Sequence, residues 1–120
     1  MTRILLLGFD KLLCDELVRV LSEMHHAPLA QAFSDGWIDH AAADVVFCSG
    51  DDPRFRDALR EVKHKKPGLP FVVVTRLPEV SAWLDALEAG ASDYCAAPFE
   101  PVQMRWIMDS TVPRKQRAAA

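Results

Sequence analysis

The chain has 120 residues, half of them apolar, and a formal net charge of −3. That length fits one domain, with enough apolar content for a sizeable core. Acids and bases are interspersed along the chain, which argues against a basic face for bulk nucleic acid or membrane, and against disorder away from the ends.

Met1-Thr2-Arg3 leads into Ile4 to Leu7, an apolar run ended by Gly8 and read as a strand buried on both faces. The run is too short for a secretory signal or a membrane span, so a cytoplasmic protein is expected. Leu13, Leu17, Val20, Leu21 and Met24 recur at helical spacing. Ala27 to Phe33 reads as a weak strand, with Pro28 near its start. Ser34 is a candidate cap for a short helix through His40, weakened by Gly36, with Trp37 at the edge of the core.

Val45 to Cys48 is a second buried strand. In the turn Gly50-Asp51-Asp52-Pro53, Asp52 is the candidate N-cap and Pro53 the first helical residue. Phe55, Ala58, Leu59 and Val62 mark the helix that follows, which ends near Lys65-Lys66-Pro67-Gly68. Phe71 to Val74 is the strongest strand, with three valines. Pro78 opens a fourth helix, closed by Gly90. Ser92 to Ala96 is the last strand, and Pro101 opens a fifth helix to about Val112. The domain therefore covers residues 1–112, and residues 113–120 form a basic tail or the start of a linker, with Arg114, Lys115 and Arg117.

Strand and helix alternate five times. That order implies a five-stranded parallel sheet with helices on both faces and right-handed crossovers. In such α/β sheets the ligand site lies at the carboxyl ends of the strands. Here those ends are Gly8-Phe9-Asp10, Ser49-Gly50, Thr75-Arg76 and Ala96-Ala97-Pro98.

Other candidates have plain explanations. Cys14, Cys48 and Cys95 form no CxxC pair and read as reduced thiols. His25 and His26 are adjacent on a helix end, point apart and have no third ligand nearby. Lys63, His64, Lys65 and Lys66 favour a helix C-terminus rather than a nucleic-acid site. No cofactor and no metal is expected from these residues.

Four segments resemble a response-regulator receiver domain, over roughly residues 3–112. Asp44-Val45-Val46-Phe47-Cys48-Ser49 with Pro53 resembles the family's third strand and acceptor turn. Pro70-Phe71-Val72-Val73-Val74-Thr75 resembles the fourth strand and its switch hydroxyl. Ala86 to Tyr94 resembles the passage into the switch aromatic, and Ala97-Pro98-Phe99 falls where the family has Lys-Pro-Phe. The resemblance implies a flavodoxin-like, doubly wound (βα)5 fold and a cis Ala97-Pro98 bond.

It also implies a chemistry whose parts can be checked. A receiver moves a phosphoryl group onto an aspartate with magnesium, which wants several carboxylate oxygens. A lysine offsets the charge, and a hydroxyl binds the phosphoryl oxygens. By position the acidic pair falls on Gly8 and Phe9, the acceptor on Ser49 and the lysine on Ala97. Only Thr75 fits. Ser49 cannot form an acyl phosphate, and no base stands beside it in sequence to activate its hydroxyl. The expectation is a pseudo-receiver: not an enzyme, with no catalytic residue and no bound metal, Asp10 and Asp51 being displaced and weak metal candidates.

With the chemistry gone, a surface must act. The face built from the fourth helix, fifth strand and fifth helix is where the family commonly binds partners or dimerises. Val80, Leu84 and Leu87 are assigned to the core stripe of the fourth helix, which leaves Trp83 outside. Met104 and Met108 point inward, so Trp106 and Ile107 cannot both be buried. Tyr94 holds the switch-aromatic position. Trp83, Tyr94, Phe99, Trp106 and Ile107 are the candidate interface to a protein partner or a second copy. The expected function is phosphorylation-independent protein binding in two-component or related signalling, with no direct nucleic-acid or membrane contact. Two alternatives stay open: a phosphoacceptor that uses Asp10 and Asp51 with magnesium, and the regulatory module of a DNA-binding regulator.

Overall fold

The three apolar runs become the inner strands of one parallel sheet. The computed structural model describes residues 2–34, 37–40, 42–76 and 79–111. Strands β1 (Arg3–Leu7), β2 (Ala27–Gln31), β3 (Val45–Ser49), β4 (Phe71–Thr75) and β5 (Asp93–Ala96) pair in the order β2-β1-β3-β4-β5. All four pairings are parallel. β1, β3 and β4 are flanked on both sides and covered on both faces, which is why they read as unbroken apolar runs. β2 and β5 are the edges and carry mixed sequences.

The helices are α1 (Lys11–Glu23), α2 (Phe55–Lys65), α3 (Val80–Glu88) and α4 (Pro101–Thr111). Side chains alternate across each inner strand. Ile4, Leu6, Val45, Phe47, Val72 and Val74 meet α1 and α4 on one face. Leu5, Leu7, Val46, Cys48, Phe71 and Val73 meet α2, α3 and Trp37 on the other. The doubly wound arrangement inferred from element order is the observed one, and it puts the tips of β1 and β3, where the strand order reverses, side by side.

Several local expectations need correction. β2 stops at Gln31, leaving Phe33 free to fold over the tip of β1. The second helix is only a 3-10 turn, Trp37–His40. Asp52 does not cap α2, which begins at Phe55 after Arg54. Instead its carboxylate accepts the Arg54 N–H at 2.9 Å and grips the Arg54 guanidinium at 2.7 Å.

The α3 face was misassigned. Val80, Leu84 and Leu87 are exposed, and Ala86 is the buried residue. Ala86, with half-buried Ala82 one turn earlier, sets the helix on the sheet and turns the large apolar stripe outward. Gly90 follows the helix at φ +107, a conformation that favours glycine. The expectations for Pro78, for the helix end at Val112 and for the tail 113–120 lie outside the described residues.

Candidate functional site at the strand tips

Gly8 ends β1 at φ +77, and its N–H donates to Gln31 O at 2.9 Å. A Cβ at this position would lie 2.0 Å from Cε2 of Phe33. The Phe33 ring thus fills the space that a side chain on residue 8 needs. Arg54 covers that ring, its guanidinium carbon 4.8 Å from the centroid. Phe9 is partly buried and packs on the core beneath α1 and α4. Neither position offers a side-chain oxygen ligand.

Asp10 caps α1, its carboxylate accepting the Leu13 N–H at 3.0 Å. The same carboxylate is gripped by both terminal nitrogens of Arg76, one of them at 2.6 Å. The Arg76 hydrogen bond, together with the Leu13 N–H, holds the Asp10 carboxyl down at about 2. Both partners are substantially exposed, so the pair is salt-sensitive and of modest strength.

Ser49 is buried at the end of β3, and Thr75 is buried at the end of β4. Gly50 donates its N–H to Val74 O at 2.8 Å, which brings the β3 turn beside β4. The following residue, Asp51, accepts the Thr75 hydroxyl on one carboxylate oxygen. Its other oxygen accepts the Arg76 N–H at 3.2 Å. Ala97 packs against the core, donates its N–H to Thr75 O at 3.1 Å and joins Pro98 through a cis bond. The strand-tip set is therefore Asp10, Ser49, Asp51, Thr75 and Arg76.

Solved structures share this architecture. A response regulator receiver domain protein from Clostridium thermocellum matches with a TM-score of 0.81 at 18% identity, over 98% of this chain and 99% of the other. A CheY-like receiver domain protein from Methanospirillum hungatei matches with a TM-score of 0.79 at 18% identity, over 98% of each chain. NtrX from Brucella abortus, in complex with ADP, matches with a TM-score of 0.83 at 20% identity, over 98% of this chain but 28% of its own. No family model and no curated protein matches the sequence.

The chain has the receiver fold. Magnesium chemistry, which the resemblance ties to that fold, can be tested against the residues at the strand tips. They do not fit it. Gly8 and Phe9 give no carboxylate oxygens, Phe33 closes over Gly8, and Asp10 is paired with a guanidinium. Among the described residues no group of three or more His, Cys, Asp or Glu side chains is placed to hold a metal. Sequence reasoning missed Arg76. The available signal was a cation directly after Thr75, facing acids on two neighbouring strand tips.

On the side of the receiver fold formed by α3, β5 and α4, the candidate interface residues separate. Trp83 is 44% exposed and Trp106 is 64% exposed, while Tyr94 is half-buried. Phe99 and Ile107 belong to the core, Ile107 being only 1% exposed, so neither is a surface anchor. Ile107 shares the inward stripe with Met104 and Met108, three and four residues being the helical repeat. Trp83, Tyr94 and Trp106 line a groove of about 380 Å³ together with Glu79 and Asp93. Val80, Leu84 and Leu87 extend the exposed apolar surface of α3.

The remaining candidates gather at no second site. His25, at φ +64, and His26 line an open groove between α1 and α4 with Glu23, Arg105 and Asp109. Burial pushes the Cys48 thiol up, and the Cys95 thiol up to about 12, as fits inert core cysteines. Among the described residues no helix is long and apolar enough to cross a membrane.

Proposed function

We propose that this domain serves signal transduction as a receiver-type module that binds protein without being phosphorylated. The carrying observation is the strand-tip site. The acceptor position is Ser49, Gly8 and Phe9 stand where the acidic pair would be, and Asp10, the acid that follows them, is paired with Arg76. A guanidinium is a permanent cation and competes with a divalent metal for the same carboxylate. The domain is then not an enzyme, and its output is a surface presented in one state. That surface is the α3–β5–α4 face, where two exposed tryptophans flank an apolar groove. Large aromatic anchors of this kind carry most of the energy in protein interfaces. The partner is a protein or a second copy of the chain, in the cytoplasm.

The phosphoacceptor alternative is weakened by the bonds that Asp10 and Asp51 already make to Arg76 and Thr75. A second reading draws on NtrX, where the matched fold spans 28% of a longer chain. In that reading the domain is the regulatory module of a larger regulator and uses the same face against its own output domain.

Treatment with acetyl phosphate and magnesium, followed by intact mass measurement, tests the central point. An unchanged mass is expected. A gain of one phosphoryl group, lost on substitution of Asp10 or Asp51, would establish a working phosphoacceptor instead.

A further inference from the structure

We propose that Asp51 is a built-in anion that takes the place of a phosphoryl group at the strand tips and keeps the end of β4 in one arrangement. Oxygens of a phosphoryl group accept hydrogen bonds and draw hydroxyl, N–H and cationic donors. Asp51 has collected that set from this chain alone. The Thr75 hydroxyl donates to one of its oxygens, and the Arg76 N–H donates to the other at 3.2 Å. The Arg76 guanidinium supplies the positive charge nearby and is itself pinned by Asp10.

The residues lie on three different strand tips. Asp10 follows β1, Asp51 follows β3, and Thr75 ends β4 with Arg76 directly after it. Their bonds tie the three tips together where an external ion would otherwise be needed. Thr75 is the one chemical part of a receiver retained here, and its hydroxyl is directed to a carboxylate that cannot be removed by hydrolysis. Bonds to an ionised acceptor are the stronger kind, which favours a fixed arrangement over a switch.

α3, with Trp83, starts four residues after Arg76. The inference rests on the receiver reading of the strand tips and adds what holds the state. It can fail while phosphorylation-independent binding stands, because its test reads only the turn.

The test is amide hydrogen exchange at Arg76 in the whole chain, followed by NMR, with formate as the probe anion. Asp51 is exposed in a turn, so Asp51→Ala leaves the core intact. Exchange at Arg76 is expected to rise about tenfold in Asp51→Ala, and millimolar formate is expected to slow it again. Asp52→Ala is the control, since Asp52 holds Arg54 and not Arg76. It should leave Arg76 unchanged. Unchanged exchange in Asp51→Ala, equal acceleration in Asp52→Ala, or acceleration that formate does not reverse would each overturn the inference.

Discussion

The ring of Phe33 lies so close to Gly8 that a Cβ on residue 8 would stand 2.0 Å from it. Residue 8 also sits at φ +77, where side chains are strained. The Phe33 ring and the backbone at residue 8 therefore both stand against any side chain there, an acid included. Gly8→Asp should destabilise the fold by roughly 2–5 kcal/mol, combining backbone strain and overpacking. Gly8→Ala should cost nearly as much, because the Cβ itself is the obstacle. Urea unfolding midpoints measure both. A neutral Gly8→Asp would show that Phe33 swings aside without cost.

Magnesium should not stabilise this protein. A ligand present at a hundred times its dissociation constant adds about 2.7 kcal/mol to a folded state that binds it. Gly8, Phe9 and Ser49 stand where the receiver resemblance places carboxylates, whose mutual repulsion a cation would relieve. Thermal unfolding with and without millimolar magnesium should coincide. An upward shift of several degrees would contradict the fit of residues described above.

The Asp10–Arg76 pair gives a pH signature of known sign. The folded Asp10 carboxyl is depressed to about 2, below its unfolded value near 3.9. Its contribution is thus fully present above the unfolded value and is lost as pH falls through about 2. Asp10→Asn keeps the helix cap on Leu13, since Asn caps as well as Asp, but loses the ion pair. The variant should unfold earlier than the natural chain at pH 7, and the gap should close as pH falls from about 4 to 2. Salt at 1 M should shrink the gap at pH 7, because both groups are exposed. A gap that persists at pH 2 would assign it to something other than the ionised pair.

The sequence was most legible where burial leaves no choice. β1, β3 and β4 are covered on both faces, so every residue of Ile4–Leu7 and Phe71–Val74 had to be apolar. α3 was illegible for the opposite reason. Ala82 and Ala86 form one stripe and Val80, Leu84 and Leu87 another. Periodicity reports both stripes and does not say which faces the sheet. That Gly8 and Phe9 stand where the receiver resemblance places acids could be read from position alone. The meeting of Arg76 with Asp10, 66 residues away, could not, because it depends on which strands are neighbours. Phe33 over Gly8 was hidden likewise, since it required β2 to end early.

Ile107 and Trp106 are adjacent in sequence and opposite in consequence. Ile107 is 1% exposed among Met104, Met108 and the sheet, so Ile107→Ala opens a cavity and should cost about 2–5 kcal/mol. Trp106 is 64% exposed, so Trp106→Ala should change stability by no more than about 0.5 kcal/mol. Paired urea titrations check this contrast. A large loss in Trp106→Ala would place that ring in the core and remove it from the docking face. If the stabilities behave as expected, Trp106→Ala and Trp83→Ala become clean probes of association. Each should weaken self-association or partner binding, measured by sedimentation, in a fully folded chain. Unaltered association in both variants would mean that the groove between α3 and α4 is not where this domain is read.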